Sequence, residues 1–262
     1  MHRAAAPDVG ALDADRVRHP TIDIVLPARD EVLTVAANVR AALGCRYGRE
    51  VIVVDDGSCD GTGDEARLAG AKVVRVDRSR GSKAHAMAEG VAMSDADAIL
   101  FVDADCTGLT SDHLDALCEP WLDDRCTMSL GVFDYGRAWN PIVRRLPPLT
   151  GERLVPRWVF EAVPVEKLHG YTIEVRINEV VAEHHGRSVV RTMAGVQHRT
   201  KRAKLGRRLG ALATLEMYRD LVAQFRPGEV RWRTYWFHLR GLSRRCARGR
   251  GHVAGRRRRT RR

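Results

Sequence analysis

The chain has 262 residues, of which 44% are hydrophobic and 29% charged, and its formal net charge is +11. This size and composition fit one large α/β domain or two small ones, and they exclude a collagen-like, fully disordered or disulfide-scaffold chain. The sequence has no apolar run near the roughly 18 residues of a membrane span, and the first twenty residues lack the apolar core of a secretory signal. The six cysteines form no CxxC pair, so we expect a cytoplasmic protein with reduced thiols.

Strands and helices are predicted to alternate from residue 21 onward, after an Ala-rich, charged leader at residues 1–20 that is expected to be mobile. In chain order the predictions are a strand at 22–26, a helix at 31–43, a strand at 51–54, a helix at 62–69, a strand at 72–76, a helix at 84–93, a strand at 98–102, a helix at 111–122 with Ser111 as its N-cap, a strand at 128–133, a helix at 171–184 and a strand at 188–193. Such alternation predicts a mostly parallel sheet covered by helices on both faces.

The positive charge is concentrated at the C-terminal end. Residues 199–262 contain 21 Lys and Arg against 3 Asp and Glu, whereas residues 1–198 contain 23 against 30. Basic amphipathic helices are predicted over residues 201–246, with a clear one at 204–225, and a disordered Arg-rich tail over 247–262. The helix at 204–225 could pack internally or on a partner, so the oligomeric state stays open.

Three interpretations of this basic segment stay open, because it favours an anionic partner without identifying one. It could be a solvated helix face with a disordered tail. It could make peripheral contact with an anionic membrane through residues 230–245, where aromatic and Arg residues mix. The weakest of the three is nucleic-acid binding by the Arg-rich residues 256–262.

Polar clusters follow each of the first four predicted strands, at residues 27–31, 55–62, 80–83 and 103–105. Open α/β sheets bind ligands at this edge. One such cluster alone could be a polar loop or a helix N-cap, but four together indicate a binding site. A phosphate loop of the G-x-x-x-x-G-K-[ST] type and a glycine in the first strand–helix turn are both missing, so a dinucleotide fold is not favoured.

Asp103 and Asp105 are the most specific pair in these clusters. Residues i and i+2 at a strand end point the same way, and two carboxylates there repel unless a cation neutralises them. Mg²⁺ or Mn²⁺ takes oxygen ligands and commonly shares them with a diphosphate. Lys83 offers a compact positive charge to a phosphate. Asp56 could accept hydrogen bonds from a base edge, and Glu31 could bond a ribose hydroxyl.

The segments IVLPARDE, VIVVDDGSCDGT, GSKAHAM and ILFVDAD, in this order over residues 24–105, resemble the nucleotide-sugar half of a GT-A glycosyltransferase of the family 2 type. The second half resembles the glucosyl-3-phosphoglycerate synthases more loosely, at TGER, GYTIE and VQHR. The resemblance implies a GT-A domain over residues 21–200, with a nucleotide-sugar half at 21–106 and an acceptor half at 107–200.

The resemblance also implies roles for individual residues. Nucleotide-sugar binding would fall to Pro27, Arg29, Glu31, Asp56, Gly57, Ser58, Lys83, Asp103 and Ala104. Acceptor binding would fall to Thr150, Gly151 and Tyr171. The catalytic residues would be Asp105, Glu152 and Glu174, and the ligands of Mg²⁺ or Mn²⁺ would be Asp105 and His198. Glu174 could be a base on the acceptor hydroxyl or could only orient the sugar.

The implied function is metal-dependent transfer of a glycosyl group from a UDP- or GDP-sugar to a small phosphorylated, sugar or lipid-phosphate acceptor. Base, sugar, acceptor and stereochemistry stay open. A polymer synthase is not expected, because the Gln-x-x-Arg-Trp motif is missing. The alternative is a catalytically silent nucleotide-binding domain that uses its basic C-terminus as an interaction tail, but two adjacent uncompensated carboxylates argue against it. A nucleotidyltransferase is disfavoured because residues 27–31 contain no Gly-rich loop.

Overall fold

A computed structural model describes residues 19–76, 82–134, 150–164 and 173–199, together with the backbone of residues 243–244. The predicted helix at 204–225, the Arg-rich tail, most of the predicted leader and Tyr171 lie outside these residues. The helices described are α1 (Val35–Leu43), α2 (Thr62–Leu68), α3 (Lys83–Ala92), α4 (Ser111–Leu122), α5 (Arg157–Glu161) and α6 (Ile173–Glu183). The strands are β1 (Ile22–Ala28), β2 (Gly48–Asp55), β3 (Lys72–Arg75), β4 (Ala98–Phe101), β5 (Cys106–Thr107), β6 (Met128–Phe133), β7 (Arg153–Pro156), β8 (Ser188–Met193), β9 (Gln197–His198) and β10 (Ser243–Arg244).

Eight of these strands form one twisted sheet in the order β10-β8-β6-β7-β4-β1-β2-β3. Strand β7 runs antiparallel to both of its neighbours, and the other pairings described in this sheet are parallel. A mostly parallel sheet between helices is the GT-A-like α/β fold class that the sequence predicts, and this prediction is confirmed. Strands β5 and β9 form a separate antiparallel pair in which Cys106 lies opposite His198.

The central strands are buried on both faces, so their side chains alternate between two apolar layers. Ile24 and Leu26 pack with α1, α2 and α4 in one layer, while Val25 packs with α3, α5 and α6 in the other. Each fully buried aliphatic side chain of this kind contributes about 1.5–3 kcal/mol to folding. Gly90 lets α3 approach β1 closely, because an added Cβ would overlap the Val25 side chain. This close packing fixes Lys83, the first residue of α3, at the edge of the sheet.

Several predicted boundaries are wrong by a few residues. Helix α1 begins at Val35 rather than residue 31, because the preceding residues form a turn in which the backbone N–H of Thr34 donates to the Glu31 carbonyl. The N-cap of α4 is Thr110 rather than Ser111, since Thr110 is extended and Ser111 is already helical. The short strands β5, β7, β9 and β10 and helix α5 are not predicted from the sequence. Among the described residues, every helix is too short or too polar to cross a bilayer.

Candidate functional site

The polar clusters meet at the carboxyl ends of β1, β2 and β4, as the parallel arrangement of these strands requires. Two loops on the β2 side bond to each other. The backbone N–H of Asp30 donates to Ser58 Oγ at 3.0 Å, and that of Asp56 donates to the Ala28 carbonyl at 2.9 Å. Gly57 has a φ of 72°, a left-handed conformation that glycine adopts without strain. These contacts hold the predicted nucleoside-binding residues in one rigid pair of loops.

Asp56 and Arg29 face each other within this pair of loops. The Arg29 guanidinium nitrogen lies 4.0 Å from Asp56 Oδ2, and the Asp56 side chain is buried while Arg29 is half exposed. Glu31 is buried beside them, and its backbone N–H donates to Thr62 Oγ1 at 2.7 Å. Pro27 lies within β1, paired with Val54, so it belongs to the sheet rather than to the loop. The two loops thus carry one guanidinium and two carboxylates.

Asp103 lies against Lys83 rather than against Asp105. Lys83 Nζ is 2.5 Å from Asp103 Oδ1 and 3.2 Å from Glu174 Oε1, on the first turn of α6. Burial alone would lower the pKa of Lys83, but the charges of Asp103 and Glu174 outweigh it and raise that pKa. The ammonium group is therefore held protonated between two carboxylates.

The backbone of Gly151 packs directly against this ion-pair cluster. A Cβ on Gly151 would overlap both carboxylate oxygens of Asp103 and the ammonium nitrogen of Lys83. Only a residue without a side chain allows the backbone to come this near. The predicted acceptor residue Gly151 is thus brought into direct neighbourhood with two predicted nucleotide-sugar residues.

Glu152 lies next to Asp103 of this cluster and is 0% exposed. Thr150 Oγ1 donates to its Oε2 at 2.5 Å, and Cys106 Sγ donates to its Oε1 at 3.2 Å. Burial, together with the charge of Asp103, raises the pKa of Glu152, although His198, Thr150 and Lys83 act in the opposite direction. The side chain is enclosed, so its contacts are with other site residues.

Asp105 forms a second cluster with His198. Nδ1 of His198 lies 2.9 Å from Asp105 Oδ1, and the backbone N–H of Arg199 donates to the Asp105 carbonyl at 3.1 Å. The His198 ring packs edge-on against Phe133, with 4.2 Å between ring centroids. Burial would lower the pKa of His198, but the hydrogen bond to Asp105 and the charges of Glu152, Asp103 and Asp105 raise it.

Two groups of side chains that both include His198 offer atoms suited to bind a divalent ion. The potential ligand atoms of Asp105, Cys106 and His198 all lie within 4.8 Å of one another, and so do those of Asp103, Glu152 and His198. Carboxylate oxygens and an imidazole nitrogen are ligands that Mg²⁺, Mn²⁺ and Zn²⁺ all accept. The residues present therefore fit the Mg²⁺ or Mn²⁺ ion that the sequence predicts.

Arg199 connects the loops that follow β1 and β2 to the Asp105–His198 cluster. Its guanidinium nitrogen lies 4.0 Å from Glu31 Oε2, while its backbone N–H holds the carbonyl of Asp105. The predicted site residues on the two halves of the domain are thus contiguous. Tyr171, the remaining predicted acceptor residue, lies outside the described residues.

Sequence reasoning missed two buried residues that hold the site together. Arg153 is 0% exposed, and its guanidinium donates to the backbone carbonyls of Thr150 and Glu174 and to Asn178 Oδ1. Asn38 is 1% exposed and lies on the buried face of α1. A polar residue among the apolar positions of a helix was the available signal for Asn38.

Comparison with known proteins gives a consistent result. The sequence model of the family described as glycosyl transferase family 2 matches residues 23–163, more than half of the chain. The 4,4'-diaponeurosporenoate glycosyltransferase of Staphylococcus aureus (strain MRSA252) is 38% identical over 103 residues. These residues are 38% of this chain and only 28% of that relative, so the chain spans well under two thirds of the curated relative's length.

Solved structures share the fold. A mycobacterial protein has a TM-score of 0.57 at 26% identity, covering 69% of this chain and 67% of that chain. Glucosyl-3-phosphoglycerate synthase from Mycobacterium tuberculosis, solved in complex with Mn²⁺, UDP-glucose and phosphoglyceric acid, has a TM-score of 0.64 at 22% identity. That match covers 84% of this chain and 80% of the synthase, and at this identity it is a likeness of fold alone.

Proposed function

The chain belongs to glycosyl transferase family 2, and on that premise we propose that it transfers a glycosyl group from a nucleotide-sugar to an acceptor hydroxyl with the help of Mg²⁺ or Mn²⁺. One observation carries the proposal. The ion-pair cluster around Lys83 and the Asp105–His198 cluster adjoin the loops that present Asp56 and Glu31. A nucleoside site next to a cation-binding site is what a nucleotide-sugar diphosphate requires.

The nucleoside would bind to the paired loops at the ends of β1 and β2. A carboxylate accepts hydrogen bonds only, so Asp56 would accept an N–H from the base edge, as both uracil and guanine offer. Arg29, 4.0 Å from that carboxylate, would help hold it in place. Glu31 would accept a hydrogen bond from a ribose hydroxyl, while Gly57 and Ser58 would shape the loop.

The divalent ion would be held by Asp105 and His198, with Asp103 beside them. When bound, Mg²⁺ or Mn²⁺ supplies Lewis-acid neutralisation of the departing nucleoside diphosphate. The hydrogen bond between His198 Nδ1 and Asp105 fixes the orientation of the imidazole ring in advance. A preorganised pair of ligands avoids the cost of ordering them when the donor arrives.

Lys83 would contact the donor diphosphate from the other side. Its ammonium stays protonated because Asp103 and Glu174 raise its pKa, so a positive charge is ready when the leaving group develops negative charge. Ala104, between the two aspartates, is buried and would lie beside the bound donor. The two carboxylates that hold Lys83 also restrict where its flexible side chain can point.

The acceptor would enter over Thr150 and Gly151, where the backbone comes closest to the ion-pair cluster. Glu174 is buried with its carboxylate on Lys83, so it would orient the sugar or receive the acceptor proton. The structural likeness to a synthase solved with phosphoglyceric acid makes a small phosphorylated acid the first acceptor to try, before free sugars and lipid phosphates. Glu152 is fully buried and would act through Thr150 and Cys106, which both donate hydrogen bonds to its carboxylate.

Thermal-shift binding of a donor panel tests this proposal. The panel is UDP-glucose, UDP-galactose, UDP-N-acetylglucosamine, GDP-mannose and GDP-glucose, each with Mn²⁺, with Mg²⁺ and with EDTA. At a hundred times its dissociation constant a donor stabilises the fold by about 2.7 kcal/mol. The expected result is a metal-dependent shift with one donor, followed by transfer to an acceptor. In Asp105→Asn the metal dependence of the shift should be lost. In the control Asp112→Asn, at an exposed residue of α4, it should be kept. Equal shifts in EDTA would contradict the proposed metal, and no shift with any donor would contradict the donor class.

A further inference from the structure

Cys106 brings a thiol to the cluster that already contains Asp105 and His198. It lies opposite His198 in the β5–β9 pair and next to Asp105 in the chain, and it is 1% exposed. We propose that Asp105, Cys106 and His198 form a binding site for a thiophilic divalent ion such as Zn²⁺, Co²⁺ or Cd²⁺, which the chain takes up without any nucleotide.

The geometry permits three ligands on one ion. In a tetrahedral zinc site, with metal–ligand distances of about 2.0–2.3 Å, the ligand atoms lie about 3–4 Å from one another. The three ligand atoms here already lie within 4.8 Å of one another, so small side-chain rotations bring them into place. Three protein ligands with one open position are also the usual pattern of a reactive zinc site, in which water or a substrate oxygen takes the fourth place.

The thiol proton has an acceptor in place. Cys106 Sγ donates its hydrogen to Glu152 Oε1 at 3.2 Å. On metal binding the S–H bond breaks, a sulfur–metal bond forms and the proton passes to the Glu152 carboxylate, so no oxidant or reductant is needed. The thiolate makes the site prefer soft ions, because sulfur selects Zn²⁺ over Mg²⁺ or Mn²⁺, which favour oxygen ligands.

Such an ion would use the same Asp105 and His198 that the proposed reaction uses. This consequence rests on the proposed function: Zn²⁺ bound through Cys106 competes with Mn²⁺ or Mg²⁺ and lowers the rate of transfer. The binding itself does not depend on that function, because it needs neither donor nor acceptor.

Titration of the full chain with Co²⁺, without nucleotide, tests the site through the thiolate-to-cobalt charge-transfer absorption. The expected result is a band that saturates at one equivalent in the wild type, is lost in Cys106→Ser and is kept in Cys126→Ser, a buried thiol elsewhere in the chain. Competition with a chromophoric chelator should show Zn²⁺ binding weakened at least about tenfold in Cys106→Ser.

A band missing from the wild type, or still present in Cys106→Ser, would overturn the proposal. Should Cys106→Ser not fold, His198→Gln decides instead, because it keeps every thiol and removes one ligand. The band must weaken in that variant, and an unchanged band would overturn the proposal. The readout requires no turnover, so a chain that fails to transfer sugar but shows the band would contradict the proposed function alone.

Discussion

The side-chain amide of Asn38 holds the two backbone carbonyls that flank Asp105. Its Nδ2 donates to the carbonyl oxygen of Ala104 at 2.9 Å and to that of Cys106 at 3.0 Å. The carbonyl of Asp105 itself accepts from the backbone N–H of Arg199. Three consecutive carbonyls are thus fixed by α1 on one side and by the chain after β9 on the other. Asn38 and Arg199 therefore position Asp105 through its backbone.

Replacing Asn38 by Asp should weaken metal binding more than nucleotide binding. The new carboxylate cannot donate and would face two carbonyl oxygens, so the turn that presents Asp105 would shift and the fold would lose about 1–3 kcal/mol. Mn²⁺ affinity by electron paramagnetic resonance and UDP affinity in EDTA measure the two effects. Asn38→Ala, which removes the donor without adding charge, is the companion variant. Lost stability with unchanged Mn²⁺ affinity in both would show that Asn38 supports only the fold.

Gly151→Ala should abolish most activity while leaving a folded protein. The added methyl group would overlap the Asp103 carboxylate and the Lys83 ammonium, so one of the two must move. We expect a loss of at least about tenfold in kcat/KM, as for small displacements of catalytic groups. Gly70→Ala is the control away from the site, since Gly70 lies in the α2–β3 turn with a φ of 103°. It costs backbone strain of about 1–2 kcal/mol, and its Cβ would meet only the end of the Leu43 side chain, at 3.1 Å. Full activity in Gly151→Ala would mean that the site tolerates the overlap.

Lys83→Met should destabilise the protein most at neutral and alkaline pH. It leaves Asp103 and Glu174 without their cation. Breaking a fully buried ion pair costs about 3–5 kcal/mol, which is an upper bound here because the Lys83 side chain is 24% exposed. At acid pH the deficit should shrink, because unpaired buried carboxyl groups take up protons in the folded state. Urea unfolding at pH 5 and pH 8 measures the difference between variant and wild type.

Lys72→Met serves as the control for this change. Lys72 pairs with Glu50 at 3.4 Å on the surface, where both side chains are 47% exposed. Exposed pairs contribute about 0–1 kcal/mol, so this variant should show little loss and little dependence on pH. If Lys83→Met and Lys72→Met lose the same stability at both pH values, Lys83 does not belong to a buried ion-pair network.

His113 should make folding stability fall as the pH drops below about 6.5. Burial lowers its pKa, and its Nδ1 lies 3.2 Å from the backbone N–H of Thr110 and 2.9 Å from Thr110 Oγ1, at the start of α4. A pKa lower in the folded than in the unfolded state means that the unfolded chain binds more protons, so stability is present above pH 6.5 and lost on acidification. His113→Asn keeps an acceptor that does not titrate and should reduce this loss, whereas His19→Asn, at an exposed histidine, should not. Identical curves for wild type and His113→Asn would contradict this.

The parts of the fold that follow local rules could be predicted from the sequence. Strand β4 is a continuous apolar run and β1 is apolar apart from Asp23, and the polar residues after them had to fall at one edge of a parallel sheet. Strand β7 could not be found in this way, because it has four residues and begins with the buried Arg153, a residue type usually exposed. Its place between β4 and β6 depends on pairings that only the folded chain makes.

The same limit applies to the site. The pairing of Asp103 with Lys83 and Glu174 links three distant segments, and no local pattern encodes it. Cys106 looks like an ordinary reduced thiol until the β5–β9 pair places it opposite His198. Sequence reasoning predicts candidate residues one segment at a time, whereas long-range pairing decides which of them meet.

The most direct test of the proposed reaction is the metal-dependent transfer rate of Asp105→Ala. It is compared with that of the wild type, with the donor and acceptor that give turnover. In EDTA the variant should bind the donor as weakly as the wild type does, because the loops proposed to bind the nucleoside are intact. With Mn²⁺ it should lose at least about a hundredfold in kcat, because the leaving diphosphate is no longer neutralised. Full transfer activity in Asp105→Ala would show that the divalent ion is not held where Asp105 and His198 meet.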